Sequence, residues 1–487
     1  MTYEEYMEEP FRMWHNGTDL SGYLDVLEVT GRSLSPNEIQ SIVAAGRDGA
    51  FFQGKRKPGV PLKVRAMLRH KSSIQLRAAI DELNGILDTD EPVPIIFGDE
   101  PQKTYYGILS SIEEGTEIKG VHVVTITFWR GDPYKYGPEQ PHQFTDATLL
   151  TNEGTAEAQP IFELEVLAPV TFAMVSNGEE YNLLGVPTYV GEEVVEAKTL
   201  IFREDGSTID GWINDTNPID GGLSQGAMTT DGSGIVVDSY GPIPNPFDWH
   251  GPTILKEVPV TQDFEIETIM ELDTSVPAQT ARIDLHFIDE FSNNMGKLAI
   301  LDRSRGRAEK EGEARYGPTS GAYETYPIDR FNYKFDYMER LYAYLRVRRV
   351  GNEFDFYIAR LDPQGKHRDP ISKRYVDVNN EYNGKLRYIK VNIARYSEFP
   401  PDLAKIYWIN VYSLADRLEN QVPYMANLGD IITFDHVNDE LLINGEDRKD
   451  IKDFGGSFFS LAKGENQLAV LPSGAFNAKV KYRPRYR

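Results

Sequence analysis

The sequence predicts a mainly β fold with a single α-helix. A content of 41 glycines, 29 prolines and 11% aromatic residues is typical of many short strands joined by turns. Many segments alternate apolar and polar residues, whereas one stretch, after Ser72 or Ser73, repeats apolar residues at helical spacing. The chain has 487 residues, of which 40% are hydrophobic, and this length allows about two to four packed domains.

Composition excludes several classes of function. The net charge of −24 repels nucleic acid phosphates, so we expect no nucleic acid partner. The chain has no cysteine, which excludes disulfides and thiol nucleophiles. Residues 1–9 are acidic and lack an apolar segment, and no run of about 18 apolar residues occurs. We therefore expect no signal peptide, no membrane span and synthesis in a cytoplasm.

Residues 1–145 are predicted to form an α+β unit. An Asn-Gly pair at residues 16–17 is a hairpin turn signal. Ser72 or Ser73 is expected to cap the helix. The helix has an apolar face formed by Leu76, Ile80, Leu83 and Leu87. Residues 121–129 alternate as a strand, with valine, isoleucine and phenylalanine on one face.

Short motifs follow one another in a fixed order near both ends of the chain. The first set is the Asn-Gly hairpin, a Gly-Arg-Asp-Gly turn at residues 46–49, the helix, and Gly-Asp-Pro-Tyr-Lys-Tyr at residues 131–136. The second set runs through residues 429–466, from Gly-Asp-Ile-Ile through Leu-Ile-Asn-Gly to Lys-Gly-Glu-Asn. Both sets resemble siphophage distal tail proteins, often called Dit. The resemblance implies that residues 1–145 are a ring-forming domain, commonly hexameric, at the distal end of a tail tube.

The same resemblance implies a galectin-like β-sandwich that is interrupted by a large insertion. Residues 146–200 supply its first strands, and residues 420–487, which are rich in hairpin turns, supply the others. Neither segment has enough strands to bury its own faces, so we expect a discontinuous domain. Basic residues alternate along the last strand: Lys479, Lys481, Arg483, Arg485 and Arg487. They indicate either a solvated face or a salt-bridging contact with an acidic partner subunit.

Residues 201–419, the insertion, are predicted to form a further β-sandwich. Six segments alternate cleanly, and no segment of comparable quality has helical spacing. In one of them Phe264 and Ile266 face one way while Glu265 and Glu267 face the other, so we expect half-buried strands. The size and strand rhythm resemble concanavalin-like lectin jelly rolls, which also occur in laminin-G and carbohydrate-binding modules.

Aromatic residues in the loop-rich stretches of the insertion are the candidate ligand contacts. Sugar rings stack on aromatic faces, while carboxylates and amides bond to the hydroxyls. The candidates for carbohydrate binding are Trp212, Trp249, Asp248, Tyr316, Tyr323 and Tyr326. The alternative for each aromatic residue is that it packs into a satellite core beneath a long loop.

The sequence shows no catalytic constellation. One group of glycosidases with this fold carries Glu-x-Asp-x-x-Glu on a strand, and the nearest match, Glu353 and Asp355, lacks the second glutamate. His286 and Asp289 have the spacing of a weak metal-ligand pair, and residues 231–238 have the composition of a calcium loop without EF-hand spacing. We therefore expect a protein that is not an enzyme and has no cofactor, with calcium left open.

Together these observations predict a structural distal tail protein, the baseplate hub of a phage with a long non-contractile tail, located at the virion tail tip. The resemblance implies a hexameric ring that joins the tail tube protein to tail-associated adhesion and receptor-binding proteins. The insertion would bind host cell-wall saccharide, with avidity from its six copies. Two alternatives stay open. The insertion could be a glycan hydrolase that uses its carboxylates, or only a platform for receptor-binding proteins.

Overall fold

The structure is a computed structural model that describes residues 11–189, 192–319, 325–396, 398–415 and 421–487. Strands dominate these residues, and they contain one α-helix, so the predicted mainly β class is confirmed. None of the helices in these ranges has the length and apolar character needed to cross a membrane.

The strands follow one another closely along the chain. Those before the insertion are β1 Met13–His15, β2 Thr18–Asp19, β3 Asp25–Thr30, β4 Glu38–Ile42, β5 Phe51–Arg56, β6 Leu62–Arg69, β7 Val93–Phe97, β8 Thr104–Ile118, β9 Val121–Trp129, β10 Lys135–Tyr136, β11 Gln140–Phe144, β12 Ala147–Asn152, β13 Ile161–Val166, β14 Phe172–Ser176, β15 Tyr181–Gly185 and β16 Glu193–Val195. Those in the insertion are β17 Lys198–Glu204, β18 Ile213–Asn214, β19 Leu223–Ser224, β20 Ala227–Thr230, β21 Ile235–Ser239, β22 His250–Gly251, β23 Thr253–Thr261, β24 Phe264–Asp273, β25 Ala281–Asp289, β26 Asn294–Asp302, β27 Glu309–Tyr316, β28 Lys334–Asp336, β29 Arg340–Val350, β30 Glu353–Leu361, β31 His367–Val376, β32 Leu386–Arg395 and β33 Leu403–Leu414. Those after it are β34 Gln421–Pro423, β35 Ile431–Asp435, β36 Glu440–Ile443, β37 Glu446–Asp447, β38 Gly464–Leu471, β39 Phe476–Tyr482 and β40 Arg485–Tyr486.

The N-terminal strands form one sheet, in the order β2-β1-β7-β8-β9-β6-β3, beside helix α1 (Ser73–Leu87). The helix begins where the Oγ of Ser72 accepts a hydrogen bond from the N–H of Gln75 at 3.3 Å, so the predicted cap is confirmed at Ser72. Three residues of the predicted apolar helix face are buried: Leu76, Leu83 and Leu87. The fourth, Ile80, is partly buried against the same core.

Strands β4 and β5 form a hairpin that is separate from this sheet. Nearly every residue of the two strands is exposed. The hairpin and its flanks expose the large apolar side chains of Leu34, Ile39, Ile42, Val43, Phe51 and Phe52. The hairpin therefore adds nothing to the buried core of its own chain.

Segments from both sides of the insertion share the second sandwich. One sheet has the order β11-β39-β13-β35-β36-β37 and the other β12-β38-β14-β15. Strand β13 lies between β35 and β39, so a strand from before the insertion is enclosed by two that follow it. The basic residues of the last strands bond within the chain: Lys481 pairs with Glu163, and the guanidinium of Arg485 lies 4.1 Å from the ring centroid of Tyr134.

The insertion is a sandwich of two larger sheets around its own core. The first sheet has the order β20-β21-β33-β24-β29-β30-β31, with β17 also paired to β33. The second has the order β18-β23-β32-β25-β26-β27-β28. Because β17 begins at Lys198 and pairs with β33, the insertion's sheet starts before residue 201, within the segment predicted for the split sandwich. Just outside it, β16 and β34 pair in parallel.

The expectation of half-buried strands is wrong for the central strands of the insertion. Glu265 and Glu267 are buried, and both carboxylates bond the ammonium of Lys198, at 2.6 and 2.7 Å. Every residue of β25 is buried as well. These strands alternate between an apolar face and a face of paired charges, and both faces are covered by protein.

The insertion docks on the C-terminal part of the split sandwich. Arg346 makes a two-pronged ion pair with Glu446, with N–O distances of 2.8 and 3.0 Å. The backbone N–H of His367 donates to the carbonyl of Gly445 at 3.1 Å. Gly445 has a φ of +84°, and a Cβ there would collide with the carbonyl of Gly365, so this contact requires glycine.

Candidate functional site

Charged residues line the face of β25, β26 and β27 that points away from the hydrophobic core. Alternation along each strand puts them on this side, since the apolar residues between them, such as Ile283, Leu285 and Ala314, belong to the core. We call this set the polar face: Arg282, Asp284 and His286 on β25, Lys297 on β26, and Glu309, Glu311, Glu313 and Arg315 on β27. All of these residues are buried.

Lys297 is the centre of the polar face. Its ammonium lies 3.0 Å from Asp284, 3.1 Å from Glu313 and 3.2 Å from Asp220, which reaches in from the loop after β18. Burial favours the neutral amine, but the three carboxylates outweigh it and raise the pKa of Lys297. Burial likewise opposes ionisation of Asp220, yet Lys297 and Arg315 help hold the pKa of that carboxyl well below its usual range.

Asp220, Asp284 and His286 bring potential metal-ligating atoms within 4.8 Å of one another. The ammonium of Lys297 contacts both carboxylates, and Arg315 pairs with Asp220 and Arg282 with Asp284, so cations of the chain itself neutralise them. The Nδ1 of His286 lies 3.0 Å from the amide nitrogen of Asn294, and burial lowers the pKa of His286 to about 3. The histidine is therefore neutral, and the group acts as a charge-balanced cluster.

An open cavity of about 160 Å³ lies over the polar face. Its lining is Asp220, Trp249, Arg282, Lys297, Leu301, Arg303, Glu313, Thr319 and Tyr326. Pockets for whole small molecules usually measure about 300–1,000 Å³. This cavity is smaller, so it has room for part of a longer ligand.

Two of the six predicted contact residues, Trp249 and Tyr326, line this cavity. The guanidinium of Arg282 lies 5.1 Å from the Trp249 ring centroid, and the Tyr326 hydroxyl accepts from Arg315 at 3.3 Å. Both aromatic side chains are thereby held in place by residues of β25 and β27.

The other predicted residues that the structure describes do not line the cavity. Trp212 packs on the insertion's core, and its indole N–H donates to Glu204 at 2.7 Å. Tyr316 stacks on Tyr375 with a centroid distance of 3.4 Å. Asp248 accepts a hydrogen bond from the backbone N–H that follows it. Tyr323 lies outside the described residues.

The carboxylates of the two candidate metal motifs accept hydrogen bonds from other groups of the chain. Asp289 accepts hydrogen bonds from the N–H groups of Phe291 and Asn293, which closes the turn between β25 and β26. In the glycine-rich loop, Asp231 accepts from the ammonium of Lys405 at 2.7 and 3.0 Å. Both carboxylates are thus engaged by groups of the chain.

Sequence reasoning missed the row of glutamates on β27. Glu309, Glu311 and Glu313 lie at alternate positions and share one face, a pattern that a search for Glu-x-Asp-x-x-Glu passes over. Arg303 bonds both Glu311 and Glu313. Burial raises the pKa of Glu311 to about 7, whereas Lys297 and Arg303 overcome burial and lower the pKa of Glu313. The repeat of acids at every second residue was the available signal.

Two families match the ends of the chain. The phage tail protein RIFT-related domain matches residues 16–129, and the C-terminal domain of the siphovirus-type tail component matches residues 411–486. The two matches leave residues 130–410 between them, and the cavity lies in that part.

The chain is similar to the distal tail protein of Bacillus phage SPP1, with 38% identity over 162 residues. That alignment covers 33% of this chain and 64% of the relative, so the chain spans less than two thirds of the relative's length. The crystal structure of SPP1 Dit matches at 33% identity, covering 37% of this chain and 75% of that one, with a TM-score of 0.34. The CBM2 module of the evolved Dit of Lactobacillus casei BL23 phage J-1 matches at 13% identity, covering 46% of this chain and all of that one, with a TM-score of 0.38. With both of its ends matched to tail-protein domains and 38% identity to a distal tail protein, the chain belongs to the siphophage distal tail protein family.

Proposed function

We propose that the protein is the structural hub at the tip of a long non-contractile phage tail, and that its insertion binds host cell-wall saccharide without cleaving it. In the hub role it forms a hexameric ring between the tail tube protein and the adhesion and receptor-binding proteins. The cavity over the polar face is the observation that carries the saccharide-binding part.

The exposed β4–β5 hairpin supports assembly. A soluble monomer rarely exposes a large contiguous apolar patch, and Ile39, Phe51 and Phe52 are all at least 47% exposed on this hairpin. Contact with a neighbouring subunit would remove them from water. Mass measurement of the purified chain, with electron microscopy of the tail tip, tests the ring. A monomer at every concentration would contradict the proposal.

The cavity supports saccharide binding because it combines two kinds of contact. Trp249 and Tyr326 supply aromatic surface for a sugar ring, and Arg303, Glu313 and Asp220 supply fixed hydrogen-bonding groups for hydroxyls. The ion pairs of the polar face hold these groups in position before a ligand arrives, so less ordering is needed on binding. Six such sites on one ring would bind a repetitive wall surface strongly even when each site is weak.

Wall binding by matched tryptophan variants tests the site. Trp249→Ala should weaken labelling of host walls by about 1–3 kcal/mol, or about 5–150-fold in Kd. Trp212→Ala is the control because that indole bonds Glu204 and lies outside the cavity. Both variants should form rings and give the parent's circular dichroism spectrum. Equal loss of binding in the two folded variants would refute this location of the site.

A second candidate function is hydrolysis of wall glycan. Its supporting observation is Glu311, whose pKa burial raises to about 7, beside the ionised Glu313, a pairing typical of an acid and a nucleophile. Against it, both carboxylates bond Arg303, and Glu311 is fully buried. Release of reducing sugar from host walls by the parent but not by Glu311→Gln would favour the enzyme.

The platform alternative predicts a different result. If the insertion only carries receptor-binding proteins, the ring without them should not label host walls. Labelling by the purified ring alone therefore separates saccharide binding from the platform role.

A further inference from the structure

We propose that the cavity takes a neutral saccharide, one without phosphate or carboxylate groups. This inference rests on the saccharide-binding function proposed above and specifies its ligand. It follows from how the charges around the cavity are paired.

Among the residues that the structure describes, every cation that lines the cavity contacts a carboxylate. Lys297 contacts three carboxylates, as described above. The Nε of Arg282 lies 3.1 Å from Asp284, and Arg315 lies 2.7 Å from Asp220. Arg303 lies 2.6 Å from Glu311 and also bonds Glu313. With every group ionised, as above about pH 7 where Glu311 also loses its proton, these four cations and four carboxylates sum to a formal charge of zero.

The cations are also hard for a ligand to reach. The side chains of Arg282, Lys297 and Arg315 are at most 7% exposed, whereas that of Arg303 is 35% exposed. A phosphate could therefore approach Arg303 first, and would have to compete with Glu311 and Glu313 for it. Glu311 and Glu313 are buried, so drawing Arg303 away from them would leave uncompensated buried charge, which is costly.

Long-range electrostatics act in the same direction. The chain carries a net charge of −24, and a ring multiplies the charge by its number of subunits. A polyanion approaching this surface is repelled. Neutral hydroxyl groups bear no such penalty, and they can both donate to the carboxylates and accept from Arg303.

The experiment compares purified rings on two kinds of immobilised polymer. The neutral set is glucan, galactan and mannan, and the anionic probe is poly(glycerol phosphate). We expect binding to at least one neutral polymer, with Kd changing less than about twofold between about 20 and about 500 mM NaCl, because no counterions are released. Trp249→Ala should weaken this binding about 5–150-fold in Kd. Glu313→Gln removes one carboxylate from this set, which leaves one excess positive charge, and should create salt-sensitive binding to poly(glycerol phosphate).

The outcomes separate the two levels of the proposal. Salt-sensitive binding of the parent to poly(glycerol phosphate), without binding to a neutral polymer, would overturn the neutral-ligand inference and leave saccharide binding standing. Binding to neither set by intact rings would overturn both. Neutral binding that Trp249→Ala does not change would place the site elsewhere and also overturn the inference.

Discussion

Removing the ammonium at the centre of the polar face should destabilise the insertion strongly. Lys297→Met keeps most of the side-chain length but leaves Asp220, Asp284 and Glu313 facing one another without their shared cation. Breaking a buried ion pair by deleting one partner costs about 3–5 kcal/mol. For a unit of about 150–250 residues, each kcal/mol corresponds to about 2–4 °C, so the insertion's melting temperature should fall by about 6–20 °C.

The loss should depend on pH in a defined direction. In the parent, Lys297 helps hold the pKa values of Asp220, Asp284 and Glu313 below their usual ranges, against burial, which raises them. Such carboxyls stabilise the fold above their unfolded pKa of about 4 and lose that contribution as pH falls through the folded value. The pKa of Lys297 is raised in the folded protein, so the lysine stabilises the fold fully below its unfolded pKa of about 10.4. This stabilisation is lost only as the pH rises through the folded pKa. In the variant the pKa values of these carboxyls rise. The stability difference between the variant and the parent should therefore be largest near neutral pH and shrink toward about pH 4–5.

Differential scanning calorimetry of the full chain is the appropriate assay because it can resolve the transition of the insertion from the others. Lys373→Met is the control, since that lysine is exposed on β31 of the same sandwich. The control should melt within about 2 °C of the parent, as expected for a surface change below about 0.5 kcal/mol. If Lys297→Met melts with the control at pH 7, the ion pairs do not hold the polar face together and the reasoning fails.

Three further predictions concern the fold. Single alanine variants of Arg346 and Glu446 should each loosen the docked insertion, and the double variant should reveal a coupling of about 0.5–3 kcal/mol in thermal unfolding; strictly additive losses would contradict the contact. Ser72→Ala should cost about 1 kcal/mol in unfolding free energy, whereas Ser73→Ala, inside the helix, should cost much less; equal losses would contradict the cap. Replacing residues 198–414 with a short Gly/Ser linker should leave a soluble protein of two domains, because residues 198 and 414 are paired neighbours and a short linker spans them; aggregation would refute the discontinuous sandwich.

Features encoded in a few neighbouring residues could be predicted from the sequence. The Asn-Gly turn forms as expected, since Asn16 and Gly17 both have positive φ, at 47° and 81°. Helix α1 begins after Ser72 and buries most of its predicted face. In each case the sequence signal and the structure that it predicts span only a few residues, so contacts with distant parts of the chain had little influence on the result.

The choice between the two candidate tryptophans could not be made in this way. Trp212 and Trp249 both stand beside aspartates and turn residues in loop-rich sequence. The two differ in the residue that each contacts. Trp212 bonds Glu204, eight residues before it, whereas Trp249 contacts Arg282 on a later strand. Such contacts depend on how the loops fold over the sheets, which alternation within a strand does not encode.

The burial of the polar face also could not be predicted from the sequence, because alternation along a strand suggested a face in water. Asp284 and His286 alternate with apolar residues, as they would on a strand with one face in water. The partners that permit their burial come from far along the chain, and Asp220 and Arg315 are 95 residues apart. A strand pattern reports that two faces differ, but it cannot tell a solvated face from one covered by matched charges. In this insertion the difference matters for the proposed function, because the matched charges of the described residues would offer a ligand fixed hydrogen-bonding groups and little net charge.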